Sequence, residues 1–199
     1  METPNNLIYQ NVQSEQLREW FAETLAAYPE LHDRPIYLRK LAMKRSTMRA
    51  QPVINFAFFR RARRHYRVDF SDHLDVTRHV LVQQLPKDVV IGWFAHELGH
   101  IVDYLKRPAL GMISFGLGYA LWSRYMRAAE KRADSIAVDH GFGVEVRATK
   151  HYLMDHATLP PHYKKRLEKY YLSADELEGL ILAWERDREE LEVVEIDET

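Results

Sequence analysis

Two histidines and a glutamate within five residues have the types and spacing of a metal site. His96, Glu97 and His100 form a His-Glu-x-x-His pattern inside a long apolar run. On a helix, residues four apart lie one above the other, so His96 and His100 can offer two imidazole nitrogens to one ion. Glu97 lies one step round the helix, where it can reach a water on that ion without binding the ion. The pattern predicts a zinc hydrolase site with Glu97 as the general base.

The residues around the motif predict a mostly buried helix. Pro86 suits its first turn, Asp88 suits the positive end of its dipole, and Arg107-Pro108 gives a natural stop. Unpaired polar groups are costly in a core, so two histidines and a glutamate on such a helix need a partner. A metal ion would supply one. The alternative is that the histidines are solvated or hydrogen-bonded within the core.

A hydrolytic zinc site needs a third protein ligand. A metzincin site would require glycine at position 103 and histidine at position 106, where the chain has Asp103 and Lys106. Downstream, Glu130 and Asp134 lie four apart and predict one helical face. Glu130 could bind the metal, and Asp134 could accept the far N–H of a ligand histidine, which fixes the ring orientation. The alternative is a surface pair on a charged helix.

Together the two motifs resemble those of gluzincin metallopeptidases. The stretch 96–100 is similar to the zinc-binding helix of that group, and 130–134 resembles the Glu-x-x-Ala-Asp segment of its HtpX/CAAX-protease-like branch. Residues 93–143 also resemble small bacterial metallopeptidase-like proteins with a His-Gly turn, here His140-Gly141. The resemblance covers about a quarter of the chain. It implies zinc-dependent peptide hydrolysis, with a peptide or protein as substrate.

Peptide hydrolysis also needs a donor for the developing oxyanion and a surface for the substrate. The sequence leaves four candidate donors open, with His140 placed first: His140, Tyr104, Tyr119, Tyr152. Substrates often add a strand to the edge of a sheet. We expect residues 79–83 to form that edge, because they run directly into the motif helix.

The order of hydrophobic patterns predicts an α+β, zincin-like fold: a small N-terminal sheet, then the active-site helix and a helical C-terminal half. Strands are expected at 35–39, 53–59, 66–70 and 78–83. Helices are expected after Ser14 and at 122–139, 144–156, 160–171 and from a capping box at Ser173 to about Arg188. We expect one domain over residues 1–188 and an acidic, flexible tail over 189–199.

Composition and charge narrow the classes of function. The 199 residues include no cysteine, which excludes disulfides and cysteine zinc sites. Residues 34–68 contain eleven Lys or Arg and no acid, but no nucleic-acid recognition motif accompanies them, so nucleic acid is not expected as a partner. A nucleic-acid-associated protein using 34–67 remains one alternative function. A non-proteolytic protein that binds a partner through the zinc scaffold is another.

No segment has the length of a membrane-spanning helix. The uncharged run 108–123 is shorter than the roughly 18 to 20 residues needed. It predicts a buried connection or a packed helix, and a peripheral contact with a membrane surface is the alternative. The first six residues are polar rather than signal-like. We therefore expect a cytoplasmic protein.

Overall fold

A four-stranded sheet forms the N-terminal part of the chain and helices form the remainder, which confirms the predicted α+β class. The computed structural model describes residues 6–43, 46–74, 80–155 and 161–197. The strands are β1 (Leu7–Gln10), β2 (Ile36–Lys40), β3 (Met48–Pro52) and β4 (Tyr66–Phe70). The helices are α1 (Glu15–Ala26), α2 (Lys87–Leu105), α3 (Ala109–Leu121), α4 (Ser123–Asp139), α5 (Gly143–Asp155), α6 (Pro161–Tyr170) and α7 (Ala174–Asp197).

The sheet has the order β1-β2-β4-β3. The β1–β2 and β2–β4 pairs are parallel, and β3 runs antiparallel to β4. The predicted strands at 35–39 and 66–70 correspond to β2 and β4. The edge strands β1 and β3 were not predicted, because neither shows a clear alternation of apolar and polar residues.

Two strand predictions are wrong. Within the expected strand 53–59, Phe56–Phe59 forms a 3₁₀ turn capped by the Asn55 side chain, which accepts the Ala57 N–H at 2.9 Å. Its aromatic residues made it look like a buried strand, yet Phe56 is 99% exposed. Within the expected strand 78–83, Val82–Gln84 is also a 3₁₀ turn, and Leu81 makes only an isolated bridge with His73. Residues 78 and 79 lie outside the described part of the chain.

Helix α2 is the central element, since nearly all of its side chains are buried. It packs against α1, where Phe21 meets Phe94 edge-on at 5.0 Å between ring centroids. The Ser14 hydroxyl accepts the Leu17 N–H at 3.3 Å and caps α1, as predicted. On its other sides α2 contacts β3, α4 and α5. The motif residues are therefore held from several directions.

The later helices follow the sequence closely. Gly141 ends α4 in a left-handed conformation, with φ of +88°. The capping box is confirmed, because the Glu176 N–H donates to the Ser173 hydroxyl at 3.2 Å and the Ser173 N–H donates to the Glu176 carboxylate at 2.9 Å. Helix α7 continues to Asp197, beyond the expected end near Arg188. The division at residue 188 stays a prediction.

Several cations of the basic segment have partners inside the fold. The buried Asp69 carboxylate lies within 3.4 Å of side-chain nitrogens of Arg39, Arg49 and Arg67. Arg64 is fully buried and donates to backbone carbonyls at the end of α2. Part of the positive charge of residues 34–68 therefore serves contacts within the fold. Among the described residues, no helix is both long and apolar enough to cross a membrane.

Candidate metal centre

Three potential metal ligands from two helices meet in the interior. His96 and His100 come from successive turns of α2, and Glu130 comes from α4. The helices approach closely at Gly99, where a Cβ atom would lie 2.5 Å from the Ala133 carbonyl oxygen. Ligand atoms of the three residues all lie within 4.8 Å of one another. The cluster could therefore hold a metal ion.

The separations of the Glu130 carboxylate from the two histidines are close to those around a small tetrahedral ion. The Glu130 Oε2 lies 3.1 Å from the His96 Nε2 and 3.6 Å from the His100 Nε2. Two atoms that each lie about 2.0–2.2 Å from a tetrahedral zinc are about 3.3–3.6 Å apart. The distance to His100 is slightly longer than an ordinary hydrogen bond.

The other nitrogen of His96 is fixed by Asp134. Their Nδ1 and Oδ1 atoms lie 2.9 Å apart. The second Asp134 oxygen accepts from the Lys150 ammonium at 2.5 Å and from the Leu172 N–H at 3.5 Å. With an N–H on Nδ1, His96 would direct the lone pair of Nε2 towards Glu130 and His100. The contact between Asp134 and His96 is present as expected, its role beside a metal stays a prediction, and Lys150 in turn holds Asp134.

The electrostatics of the cluster reflect these contacts. Burial alone would lower the pKa of His96, but hydrogen bonds and charges from Asp134 and Glu130 raise it to about 10. Burial acts to raise the pKa of Glu130, yet His100 and His96 hold it well below its ordinary value. The pKa of Asp134 is also lowered, because His96 and Lys150 outweigh its burial. Without a metal, the cluster is a network of buried opposite charges.

Tyr119 on α3 orients the carboxylate of Glu130. Its hydroxyl donates a short hydrogen bond to Oε1. That bond leaves Oε2, the other oxygen, facing the two histidines. Tyr119 was one of four candidate oxyanion donors, and the structure places its hydroxyl on the carboxylate of Glu130.

Glu97 lies beside the cluster, against the edge of the sheet. The Ala50 N–H of β3 donates to its carboxylate. Burial raises the pKa of Glu97, and His100 and His96 only partly oppose this effect. A carboxylate with a raised pKa is a stronger base than an ordinary one, which suits a general base.

Strand β3 turns part of its backbone towards α2. The residues that flank it, Thr47 and Val53, are hydrogen-bonded to Ser71 and His65 on the β4 side. Because such pairs alternate along an antiparallel ladder, Met48, Ala50 and Pro52 direct their backbone groups to the open edge. There the Ala50 carbonyl lies 3.5 Å from the Tyr104 hydroxyl. Both outward groups of Ala50 thus face side chains of α2.

The structure does not bring His140 into the cluster. Its Nδ1 lies 2.7 Å from the Ile136 carbonyl oxygen, and its Nε2 lies 3.0 Å from Glu30. The ring also stacks on Tyr28, with centroids 4.1 Å apart. Both ring nitrogens are engaged at the end of α4, which argues against the predicted role as oxyanion donor.

The cluster is closed to bulk solvent. His96, Glu97, His100 and Glu130 are only 3 to 7% exposed. A cavity of about 590 Å³ between α2, α5 and α7 reaches His96 and Asp134. It borders the Nδ1 side of His96 and is not lined by Glu97, His100 or Glu130. Tyr119 and Tyr104 lie on the side of Glu130 and His100. A large ligand would have to displace one of these elements.

Sequence reasoning missed three contributors to the site. Lys150, the Ala50 N–H and the role of Tyr119 belong to α5, β3 and α3, and none has a fixed spacing from the motif.

Comparison of the chain with models of known protein families, with curated proteins and with solved structures gives no match. The candidate site therefore rests on its own geometry.

Proposed function

We propose that this chain is a zinc-dependent metallopeptidase of gluzincin type with a zincin-like fold. One observation carries the proposal: the ligand atoms of His96, His100 and Glu130 converge beside a buried carboxylate, Glu97. Two imidazoles and one carboxylate suit zinc and leave one position for water. The same donors also suit iron(II), so the adjacent base is what favours hydrolysis.

The roles of the residues follow from their contacts. Bound zinc would lower the pKa of a water towards neutrality and polarise a substrate carbonyl. Glu97 would accept a proton from the attacking water and pass it to the leaving amine. Asp134 and Lys150 would hold His96 in the correct tautomer, and Tyr119 would keep Glu130 presenting one oxygen.

The substrate would lie near β3 rather than along residues 79–83. This strand is the sheet edge that contacts Glu97. The outward backbone groups of Ala50 are already bonded to Glu97 and Tyr104. A peptide could pair with β3 only if its own backbone groups replaced these two side chains. An extended peptide would in this way reach the base and the backbone donor together.

The substitution Glu97→Gln distinguishes a peptidase from a non-proteolytic zinc scaffold. Three other side chains hold the metal in this proposal, whereas the amide of glutamine cannot accept the proton. We expect unchanged zinc content and an about 10²- to 10⁴-fold loss of peptide hydrolysis. Glu19→Gln, an exposed change on α1, is the matched control. Full activity of Glu97→Gln would contradict its catalytic role, and loss of zinc would identify Glu97 as a ligand.

A non-proteolytic zinc scaffold is the second candidate, favoured by the low exposure of the cluster. A protein that uses zinc to fix α2 against α4 has no need of an open path to the metal. In that case the zinc-loaded chain would cleave nothing in a broad peptide library, and Glu97→Gln would alter neither stability nor partner binding.

A further inference from the structure

Apart from the exposed Ser114, the outward face of α3 is apolar. Its large side chains recur every three or four residues: Leu110, Ile113, Leu117, Leu121. They are 49 to 79% exposed, while Met112, Phe115 and Gly118 form the buried face. A surface helix normally turns polar residues to water. Contiguous apolar surface of this kind marks a contact site.

The charged residues that neighbour this face in the sequence are all positive. Residues 104–129 contain no Asp or Glu. Lys106 precedes α3, and Arg124 and Arg127 follow it, all three exposed. Trp122 and Tyr125, at the far end of the helix, are also more than half exposed. Aromatic rings and cations at the ends of an apolar surface are typical of contact with lipid headgroups.

A second segment with the same character is joined to the start of α3. Arg64 donates to the Arg107 carbonyl at 3.1 Å, and Arg61 donates to the Leu105 carbonyl. These bonds hold residues 56–64 against the junction of α2 and α3. The segment exposes two aromatic rings and three cations: Phe56, Phe59, Arg60, Arg61, Arg63.

We propose that the outward face of α3 binds the surface of an anionic lipid bilayer. The helix has 13 residues and a length of about 20 Å, too short for a hydrocarbon core of about 30 Å, so it would lie in the interface. Apolar side chains would enter the boundary of the acyl chains, and the cations would meet lipid phosphates. A fluid bilayer surface can receive a single row of apolar side chains without a shaped groove on the protein.

A second copy of the chain fits this face less well. A two-fold dimer through α3 would pair identical surfaces, bringing the cationic flanks of both copies together. Like charges at such an interface oppose association. An anionic lipid surface satisfies the apolar face and the cationic flanks at once.

Vesicle flotation of the full chain tests the proposal. We expect binding to phosphatidylcholine mixed with phosphatidylglycerol, and weaker binding to phosphatidylcholine alone or at high salt. Leu117→Glu should reduce binding about tenfold or more. Leu182→Glu on α7 is the matched control, because Leu182 has a similar exposure, 51% against 57%, and should bind as wild type. Arg124→Gln and Arg127→Gln should each cost about fivefold.

Circular dichroism must show that each variant is folded. If Leu117→Glu is not, Leu110→Glu replaces it, since Leu110 is 79% exposed. The proposal is overturned if anionic vesicles do not float the chain, if neutral vesicles bind equally, or if Leu117→Glu binds like wild type. It is also overturned if light scattering shows a dimer that Leu117→Glu dissociates. Zinc content and hydrolysis are not read out, so the result is independent of the proposed activity.

Discussion

At the scale of single residues, the candidate site depends on a chain of contacts that begins well outside the ligands. Lys150 holds Asp134, and Asp134 holds His96. Each contact leaves the next side chain with one orientation, and the ring of His96 is thereby aimed at Glu130. Preorganisation of this kind reduces the free-energy cost of bringing three ligands together around an ion.

Glu130→Ala should lose zinc more severely than Asp134→Asn. The first removes a proposed ligand, and the second removes only an outer partner, worth about 10- to 100-fold in affinity. Competitive titration against a zinc-binding dye measures both. His151→Ala is the matched control, because this histidine is exposed on α5 and should not alter affinity. His156, the other downstream histidine, lies outside the described residues. Full zinc binding by Glu130→Ala would refute the ligand assignment.

Zinc affinity should rise with pH. The pKa of His96 in the metal-free protein is raised from its ordinary value of 6.5 to about 10, so the ring stays protonated through neutral pH. Zinc needs the lone pair of Nε2, and binding must therefore release that proton. Between about pH 7 and 9 we expect about a tenfold gain in affinity per pH unit. Calorimetry in buffers of different ionisation enthalpy would count the proton, and zero release would show that His96 is already neutral.

The ligand residues could be proposed from sequence because helical periodicity alone puts His96 above His100 and Glu130 above Asp134. That geometry is local and needs no knowledge of the fold. The Ala50 N–H could not be anticipated, because a backbone donor has no sequence signature. His140 has chemistry suited to catalysis, but its place is set by stacking on Tyr28, which only the tertiary structure reveals.

At the scale of elements, the distance between α2 and α4 determines whether the ligands meet. The two helices approach closely at Gly99, one residue before a proposed ligand. A side chain there would push α4 and Glu130 away from the histidines. The requirement is steric, so this glycine is part of the site although it offers no ligand atom.

Gly99→Ala should destabilise the protein by about 1–3 kcal/mol, because its Cβ would meet backbone at 2.5 Å. Gly116→Ala is the contrasting control. Nothing lies within 4 Å of its Cβ, and alanine favours the helix by about 1 kcal/mol. Urea denaturation measures both changes. We also expect weaker zinc binding in Gly99→Ala, and equal stability of the two variants would contradict the close packing of α2 and α4.

The sequence predicted the helices better than the sheet. Capping residues and a 3.6-residue period mark α1 and α7 locally, whereas β1 and β3 become strands only by pairing with β2 and β4. The error at 53–59 has a specific cause. Aromatic residues there suggested burial, but Phe56 and Phe59 project from a 3₁₀ turn on the surface.

At the scale of the whole molecule, a bound metal would join α2 to α4 and so stabilise the folded chain. With zinc at about 1,000 times its dissociation constant, the gain is about 4 kcal/mol. For a chain of this size that corresponds to about 8 to 16 °C in melting temperature. Thermal unfolding with zinc, magnesium and a chelator tests this. Magnesium should have little effect because it prefers oxygen ligands, and Glu130→Ala should abolish most of the zinc effect.

The open edge of β3 also bears on how the protein avoids self-association. An exposed edge strand can pair with the edge of another molecule and start aggregation. Here both outward groups of Ala50 face partners on α2, and Pro52 has no N–H to donate. The contacts that position Glu97 therefore also protect the sheet. Removing these partners, by replacing Glu97 or Tyr104 with alanine, would expose a template for intermolecular β-pairing, whereas the carbonyl of glutamine at position 97 can still accept the Ala50 N–H.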